Sequence, residues 1–215
     1  LKDTTMEQLL GDSYADTLGF FTEKGIYQQN MEYLCPFFWA SAASGLVTDS
    51  AGLDPAYGTE SLLLELAHSQ RKELREIEGG EAQYRMMGSI PMSIQLSTLA
   101  ECVGDDNIAA QAEDTRKLYA AWSSFDDEFF RELSVYDPET VDNPSDWEEY
   151  YDMMYTSRQK LMAEFISDSL KNGELGFVFV GTMHYYAEPS IITLLEDAGY
   201  TVNAVRPEKS NDKAA

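Results

Sequence analysis

The stretch that decides the predicted fold is GFVFVG at residues 176–181, which TMH at residues 182–184 follows directly. A continuous apolar run of this length, bounded by glycines, is typical of a strand buried on both faces of a sheet. Residues 190–198 have the pattern of a short helix that Gly199 ends, and residues 200–205 read as a second strand. Strand, helix and strand in this order form a right-handed parallel unit. The sequence therefore predicts an α/β fold with a small parallel sheet.

Most of the remaining chain has the patterns of helix. Thr4 and Thr5 offer an N-cap ahead of an acidic first turn, and apolar residues recur at helical spacing in later segments. The predicted helices span residues 36–45, 60–70, 81–87, 91–103, 107–122, 126–133 and 146–172. Residues 73–78 suit either a strand or a helix. We predict one mainly helical domain over residues 1–207 and a disordered polar tail over residues 208–215.

The chain is strongly acidic, with 38 Asp and Glu residues against 15 Lys and Arg residues and a net charge of -23. A field of this sign repels phosphate groups, so we expect no nucleic-acid binding and no attraction to anionic membrane surfaces. A cationic substrate or a divalent metal ion fits the charge, and solubility alone is the alternative explanation. No apolar run is long enough to cross a membrane, so we expect no membrane insertion in this segment.

His184 follows the predicted strand directly, and Gly181 stands at the end of that strand. Ligands of open α/β sheets bind beyond the carboxyl ends of strands, which places both residues at the predicted site. A histidine there can ligate a metal ion or transfer a proton, whereas a loop histidine without a function is the alternative. We predict that His184 is catalytic and a metal ligand and that Gly181 contacts the substrate.

Arg158 interrupts the apolar stripe of the helix predicted over residues 146–172. Steps of three and four along that helix connect Tyr151, Met154, Arg158, Leu161 and Phe165. A buried arginine needs a carboxylate or a bound anion, whereas an arginine near a helix edge can extend its guanidinium into water. Both alternatives stay open, and the first makes Arg158 a candidate catalytic residue.

Two glutamates are candidates for the same site. Glu78 would lie at the carboxyl end of a strand if residues 73–78 form one, and there it could be a metal ligand, a general base or the partner of Arg158. Glu188 lies four residues after His184 and is a weaker candidate, for substrate binding. The alternative for both glutamates is a solvated carboxylate in an acidic stretch.

The chain resembles the TraB/GumN family in the order and spacing of four short stretches. They are GLD at residues 52–54 with the apolar helix 62–67, LREIE at 74–78 with Glu81 and Gln83, RQKLM at 158–162, and the run 177–184 with GYTV at 199–202. Each stretch is a weak motif by itself, and their common order over nearly the whole chain makes the match specific.

This resemblance implies a fold like that of the erythromycin-esterase and ChaN-like proteins, in which helices surround a parallel-centred sheet. The Tiki members of the family are described as metal-dependent proteases built on two GxxH motifs and acidic residues. By the resemblance, His184 is the second GxxH histidine, Glu78 binds the same divalent metal ion, and Arg158 lies in the same site.

The chain departs from the family pattern at three places. The first GxxH motif has no counterpart and would precede Leu1, Gln159 stands where asparagine is usual, and residues 185–189 replace a stretch that usually carries glycine. Half a metal site does not hydrolyse peptides, so we expect a metal-dependent, peptidase-like hydrolase that is incomplete in this chain. The alternative is a non-catalytic protein that binds a peptide, a small ligand or haem. The compartment stays open, with an extracellular or cell-envelope location as one alternative.

Overall fold

Helices make up all the regular structure of the described chain. The structure, a computed structural model, describes residue 1 and residues 3–135 and 142–206, and 69% of these residues are helical. These ranges contain no strand and no sheet. The predicted α/β class with a parallel-centred sheet is therefore wrong, whereas its mainly helical part is confirmed. The tail predicted over residues 208–215 lies outside the described residues.

The helices of the described residues are numbered in chain order. The α-helices are α1 (Met6–Leu10), α2 (Tyr14–Glu23), α3 (Pro36–Ala51), α4 (Thr59–Ser69), α5 (Gly80–Gly88), α6 (Met92–Glu101), α7 (Asp105–Ser124), α8 (Asp127–Leu133), α9 (Pro144–Tyr151), α10 (Ser157–Lys171) and α11 (Ile191–Asp197). Short 3-10 turns lie at Gly11–Ser13, Gln29–Tyr33, Pro55–Tyr57 and Thr182–Tyr185, and a π-helical turn lies at Asp152–Thr156. None of the described helices is long and apolar enough to cross a membrane.

The two predicted strands have no regular structure. Residues 176–181 and 200–205 are irregular, and no backbone hydrogen bond joins the two described segments. Phe177 in the first segment is 77% exposed, and Val205 in the second is 88% exposed. A strand needs a paired neighbour for its backbone groups, and two strands alone are marginally stable in water. The apolar composition of residues 176–181 therefore does not produce a strand, and the predicted parallel pair is wrong, although the helix between them is present as α11.

Local capping chemistry explains where several helices begin and end. Thr5 and Gln8 form a capping box, because the Thr5 hydroxyl accepts from the Gln8 backbone N–H at 3.2 Å and the Gln8 side chain accepts from the Thr5 N–H at 3.0 Å. Pro36 occupies the first position of α3, as predicted. The predicted end of α3 near Gly45 is wrong. The helix continues to Ala51, where Gly52 adopts the left-handed φ of 75° that closes it.

The single helix predicted over residues 146–172 is two helices with a π-helical turn between them. α9 ends at Tyr151, Asp152–Thr156 forms the π-helical turn, and α10 begins at Ser157. A π-helical turn adds a residue to the helix, which changes the direction in which every later side chain points. The stripe of apolar residues predicted across this turn is therefore not continuous.

The first compact unit, Leu1–Met154, has its core around Trp39 on α3. α3 packs against α6 and α7, and the ring of Phe21 on α2 lies 5.1 Å from the ring of Trp39, centroid to centroid. The Trp39 indole Nε1 donates to the Met31 carbonyl oxygen at 2.8 Å, so its polar atom is satisfied although the side chain is 0% exposed. The buried members of this core are Met6, Phe21, Met31, Trp39, Ala40, Ala43, Leu99 and Cys102.

The second compact unit begins at Tyr155. In it, α10 packs against α11, and α11 contacts the 3-10 turn Thr182–Tyr185. The Tyr200 hydroxyl donates to the Ser167 carbonyl oxygen at 3.2 Å, which ties the segment after α11 to α10. The prediction that residues 1–207 form a single domain concerns the relation of the two units and stays a prediction.

Replacing Trp39 by Phe should destabilise the first unit by about 1–3 kcal/mol, because the change removes a buried hydrogen bond and part of a core ring. The measurement is urea unfolding followed by circular dichroism. Trp122→Phe is the matched control, since Trp122 is 44% exposed. Equal unfolding free energies for the two variants would contradict the assignment of Trp39 to the core.

Tyr14 and Tyr27 share one carboxylate in the first unit. The Tyr14 and Tyr27 hydroxyls donate to Glu32 Oε1 at 2.8 and 3.1 Å. Burial, followed by the hydrogen bond to Glu32 and the charge of that carboxylate, raises the pKa of Tyr14 to about 12. The pKa of Tyr14 in the folded protein exceeds the ordinary value of 10.0, so the neutral hydroxyl contributes to the stability of the fold. This contribution is present below pH 10.0 and is lost as the pH rises towards about 12.

The difference in phenolate absorbance between the wild type and Tyr14→Phe should therefore titrate near pH 12. In a Glu32→Gln background the same difference should titrate at lower pH, because the substitution removes the negative charge that opposes ionisation. A Tyr14 titration that Glu32→Gln leaves unchanged would show that the carboxylate does not contribute.

Candidate functional site

His184 lies in a short turn that its own backbone closes. Residues 182–185 form the 3-10 turn, in which the His184 N–H donates to the Gly181 carbonyl oxygen at 3.0 Å. The Ala187 N–H then donates to the Met183 carbonyl oxygen at 2.9 Å, which folds the chain back once more. The His184 side chain is 6% exposed, so the structure places this histidine inside the protein.

The ring of Tyr155 contacts His184. The two ring centroids lie 5.9 Å apart with an interplanar angle of 63°, which is an edge-to-face contact. Tyr155 belongs to the π-helical turn, so the junction between α9 and α10 faces the histidine. Burial raises the pKa of Tyr155, and the positive charge of Arg158 opposes part of that rise. Tyr155 therefore connects His184 with the part of α10 that carries Arg158.

Arg158 is half-buried and does not lie on the buried face of α10. That face consists of Gln159, Met162, Ala163 and Ser167. Leu161, which the predicted stripe places beside Arg158, is 44% exposed. The prediction of which residues share the buried face of this helix is wrong, because it continues the residue spacing of α9 unchanged across the π-helical turn. An arginine at the edge of the buried face keeps its charge partly hydrated and close to Tyr155.

Gly181 and Glu188, the two predicted substrate contacts, have simple local roles in the structure. Gly181 has a φ of -58°, which every residue adopts, and an added Cβ would meet His184 at an ordinary 3.8 Å. The carboxylate of Glu188 accepts from the Ser190 N–H at 2.9 Å and from the Thr193 hydroxyl at 3.0 Å, at the start of α11. Glu188 thereby stabilises the N-terminus of α11. The substrate contacts of both residues stay predictions.

Glu78 belongs to the first unit and is half-buried ahead of α5. Residues 73–78 are irregular, so the strand that would have placed Glu78 at a sheet edge is not present. The Gln83 amide donates to Glu78 Oε2 at 3.3 Å, which holds the carboxylate beside the first turns of α5. Its predicted role beside His184 and Arg158 stays a prediction.

The described residues do not by themselves match the ligand set of a catalytic metal ion. Such an ion takes three protein ligands and an open position for water. Within residues 1, 3–135 and 142–206, no group of three or more His, Cys, Asp and Glu side chains could hold a metal ion.

Gln159 is the residue of this region that sequence reasoning missed. Its side chain is 0% exposed, and its Nε2 donates to the Ala187 carbonyl oxygen at 2.9 Å. Ala187 lies three residues after His184, so this bond joins α10 to the turn that carries the histidine. The signal available in the sequence was its place in RQKLM, where glutamine replaces the usual asparagine.

Comparison with protein families agrees with the order of motifs in the chain. The model of the TraB/PrgY/gumN family matches residues 1–204 of the 215. No curated protein and no solved structure matches the chain. Because the family match extends over nearly the whole sequence and includes the His184 turn, the resemblance is confirmed: this chain belongs to the TraB/PrgY/gumN family.

Proposed function

We propose that the protein is a metal-dependent, peptidase-like hydrolase in which His184, Arg158 and Glu78 serve catalysis. The observation that carries this proposal is a buried His184 held against Tyr155, next to the helix that carries Arg158. Family membership supports it, because the resemblance to Tiki-type members implies peptide hydrolysis. On this proposal the protein binds a divalent metal ion, and His184 and Glu78 are its candidate ligands.

His184 and Arg158 have complementary chemistry for peptide hydrolysis. His184 is only 6% exposed, and an imidazole that is shielded from bulk water in this way can bind a metal ion or transfer a proton to a bound molecule. Arg158 is permanently charged and can bind a carboxylate, or the oxyanion that develops as a peptide bond is attacked. The Arg158 side chain is half-buried, so part of it is accessible to solvent.

His184→Ala should lower kcat for peptide hydrolysis by about 100-fold or more, because the variant lacks a group on which the proposed chemistry directly depends. The measurement is cleavage of a mixture of defined peptides by the full-length natural protein, followed by mass spectrometry. His68→Ala is the matched control, because His68 is the other histidine of the chain and is exposed. Equal loss in both variants, or no loss in either, would contradict the role of His184.

Arg158→Gln should lower kcat/KM for the same peptides by about 10- to 1000-fold, because one charged donor to a developing oxyanion is lost. Lys160→Gln is the control, since it removes the same charge from an exposed position of α10 two residues away. If both variants lose activity equally, the effect comes from net charge and Arg158 has no specific role.

A non-catalytic binding protein is the second candidate function. The observation in its favour is that no group of three potential metal ligands occurs in the described parts of the chain. Elemental analysis and calorimetric titration of the full-length protein with peptides and with haem separate the two functions. A metal-free protein that cleaves no peptide and still binds one of these ligands would replace the hydrolase proposal.

A further inference from the structure

Two glutamine side chains are buried in the part of the chain that the structure describes, and their amides make different hydrogen bonds. Gln95 is 2% exposed, and its amide is satisfied at both ends: Oε1 accepts from the Phe37 N–H at 3.2 Å and Nε2 donates to the Ile90 carbonyl at 2.7 Å. Gln159 is 0% exposed, and only its Nε2 is used, in the bond of 2.9 Å to the Ala187 carbonyl. Its Oε1 is buried without a hydrogen-bond partner among the described residues.

A half-satisfied buried amide is unfavourable by itself. Burying a polar atom without a hydrogen bond costs free energy, and an apolar side chain of the same size, such as methionine, avoids that cost. Packing therefore does not explain why α10 carries glutamine at this position. The bond that Gln159 makes to Ala187 is the remaining explanation.

The Gln159 bond acts on the turn that carries His184. Ala187 is 1% exposed, and its N–H donates back to the Met183 carbonyl oxygen, so its position is coupled to the residue before the histidine. Tyr155, four residues before Gln159, contacts the His184 ring. Residues 155–159, which run from the π-helical turn into α10, thus hold the turn at two points, a ring contact at His184 and a hydrogen bond at Ala187.

We propose that Gln159 is a positioning residue, which fixes the His184 imidazole against Tyr155 through its hydrogen bond to Ala187. The consequence for catalysis rests on the proposed function of His184, whereas the effect on the position of the imidazole does not. Asparagine is one methylene shorter than glutamine, so from the same backbone position its amide ends farther from the Ala187 carbonyl oxygen. Methionine lacks the donor, and an ionised glutamate repels the carbonyl oxygen.

The first test is the NMR signal of the His184 imidazole, in a protein with two histidines. Gln159→Met should change the chemical shifts of the His184 ring from their wild-type values, because the ring loses its contact with the ring of Tyr155. The exposed His68 is the internal reference and should not move. Tyr200→Phe is the matched control. It removes another hydrogen bond to α10, the one to the Ser167 carbonyl, and should leave the His184 signals unchanged.

The second test uses Gln159→Glu as a conservative rescue. The protonated carboxyl group keeps a donor for the Ala187 carbonyl, and the ionised group does not. The His184 signals of this variant should therefore match the wild type at low pH and depart from it as the new carboxyl group ionises. Signals that match the wild type at every pH, in this variant and in Gln159→Met, would overturn the proposal.

Kinetics separate the positioning role from the proposed function. If His184 is catalytic, Gln159→Met should lower kcat by about 10- to 100-fold with little change in KM, because the reacting group is misplaced. A displaced imidazole with unchanged kcat supports the role of Gln159 in positioning and contradicts the catalytic role of His184. An imidazole that stays in place in Gln159→Met contradicts the positioning role whatever the kinetics are.

Discussion

The π-helical turn at Asp152–Thr156 is the constraint on which the arrangement of the second unit depends. In an α-helix each residue advances by about 100°, so one additional residue rotates everything after it by that angle. Here the rotation places Gln159 inside and Arg158 at the edge of the buried face. It also gives Tyr155 its position beside His184. π-helical turns occur often at functional sites.

The two candidate residues of the second unit, His184 and Arg158, differ in their burial. His184 is buried and held by neighbours of two kinds, a ring and a hydrogen-bonded backbone, whereas Arg158 remains half-buried. This difference matters in a chain with a net charge of -23, because most of its surface repels anions. Arg158 brings a permanent positive charge close to Tyr155 in this acidic chain.

Predictions from the sequence are correct where the predicted feature depends on neighbouring residues, and they fail where it depends on distant parts of the chain. The capping box at Thr5, the start of α3 at Pro36 and the start of α11 after Ser190 were predictable, because each depends on residues within one turn. The strands at 176–181 and 200–205 were not, because a strand depends on a partner elsewhere in the chain. Among the predicted site residues, the catalytic roles stay predictions. The sequence pattern did not predict that Gln159 is buried, because the π-helical turn changes which side chains of the following helix point inward.

The sequence by itself determined the family, since the order of short motifs persists over residues 1–204 whatever structure they adopt. It also determined the high helix content and the acidic charge, because these follow from composition and local spacing. Tertiary structure alone decided which face of α10 is buried and that Gln159 is joined to the His184 turn. The physical reason is that burial and side-chain hydrogen bonds depend on groups far apart in the chain, and periodicity within one segment contains no information about them.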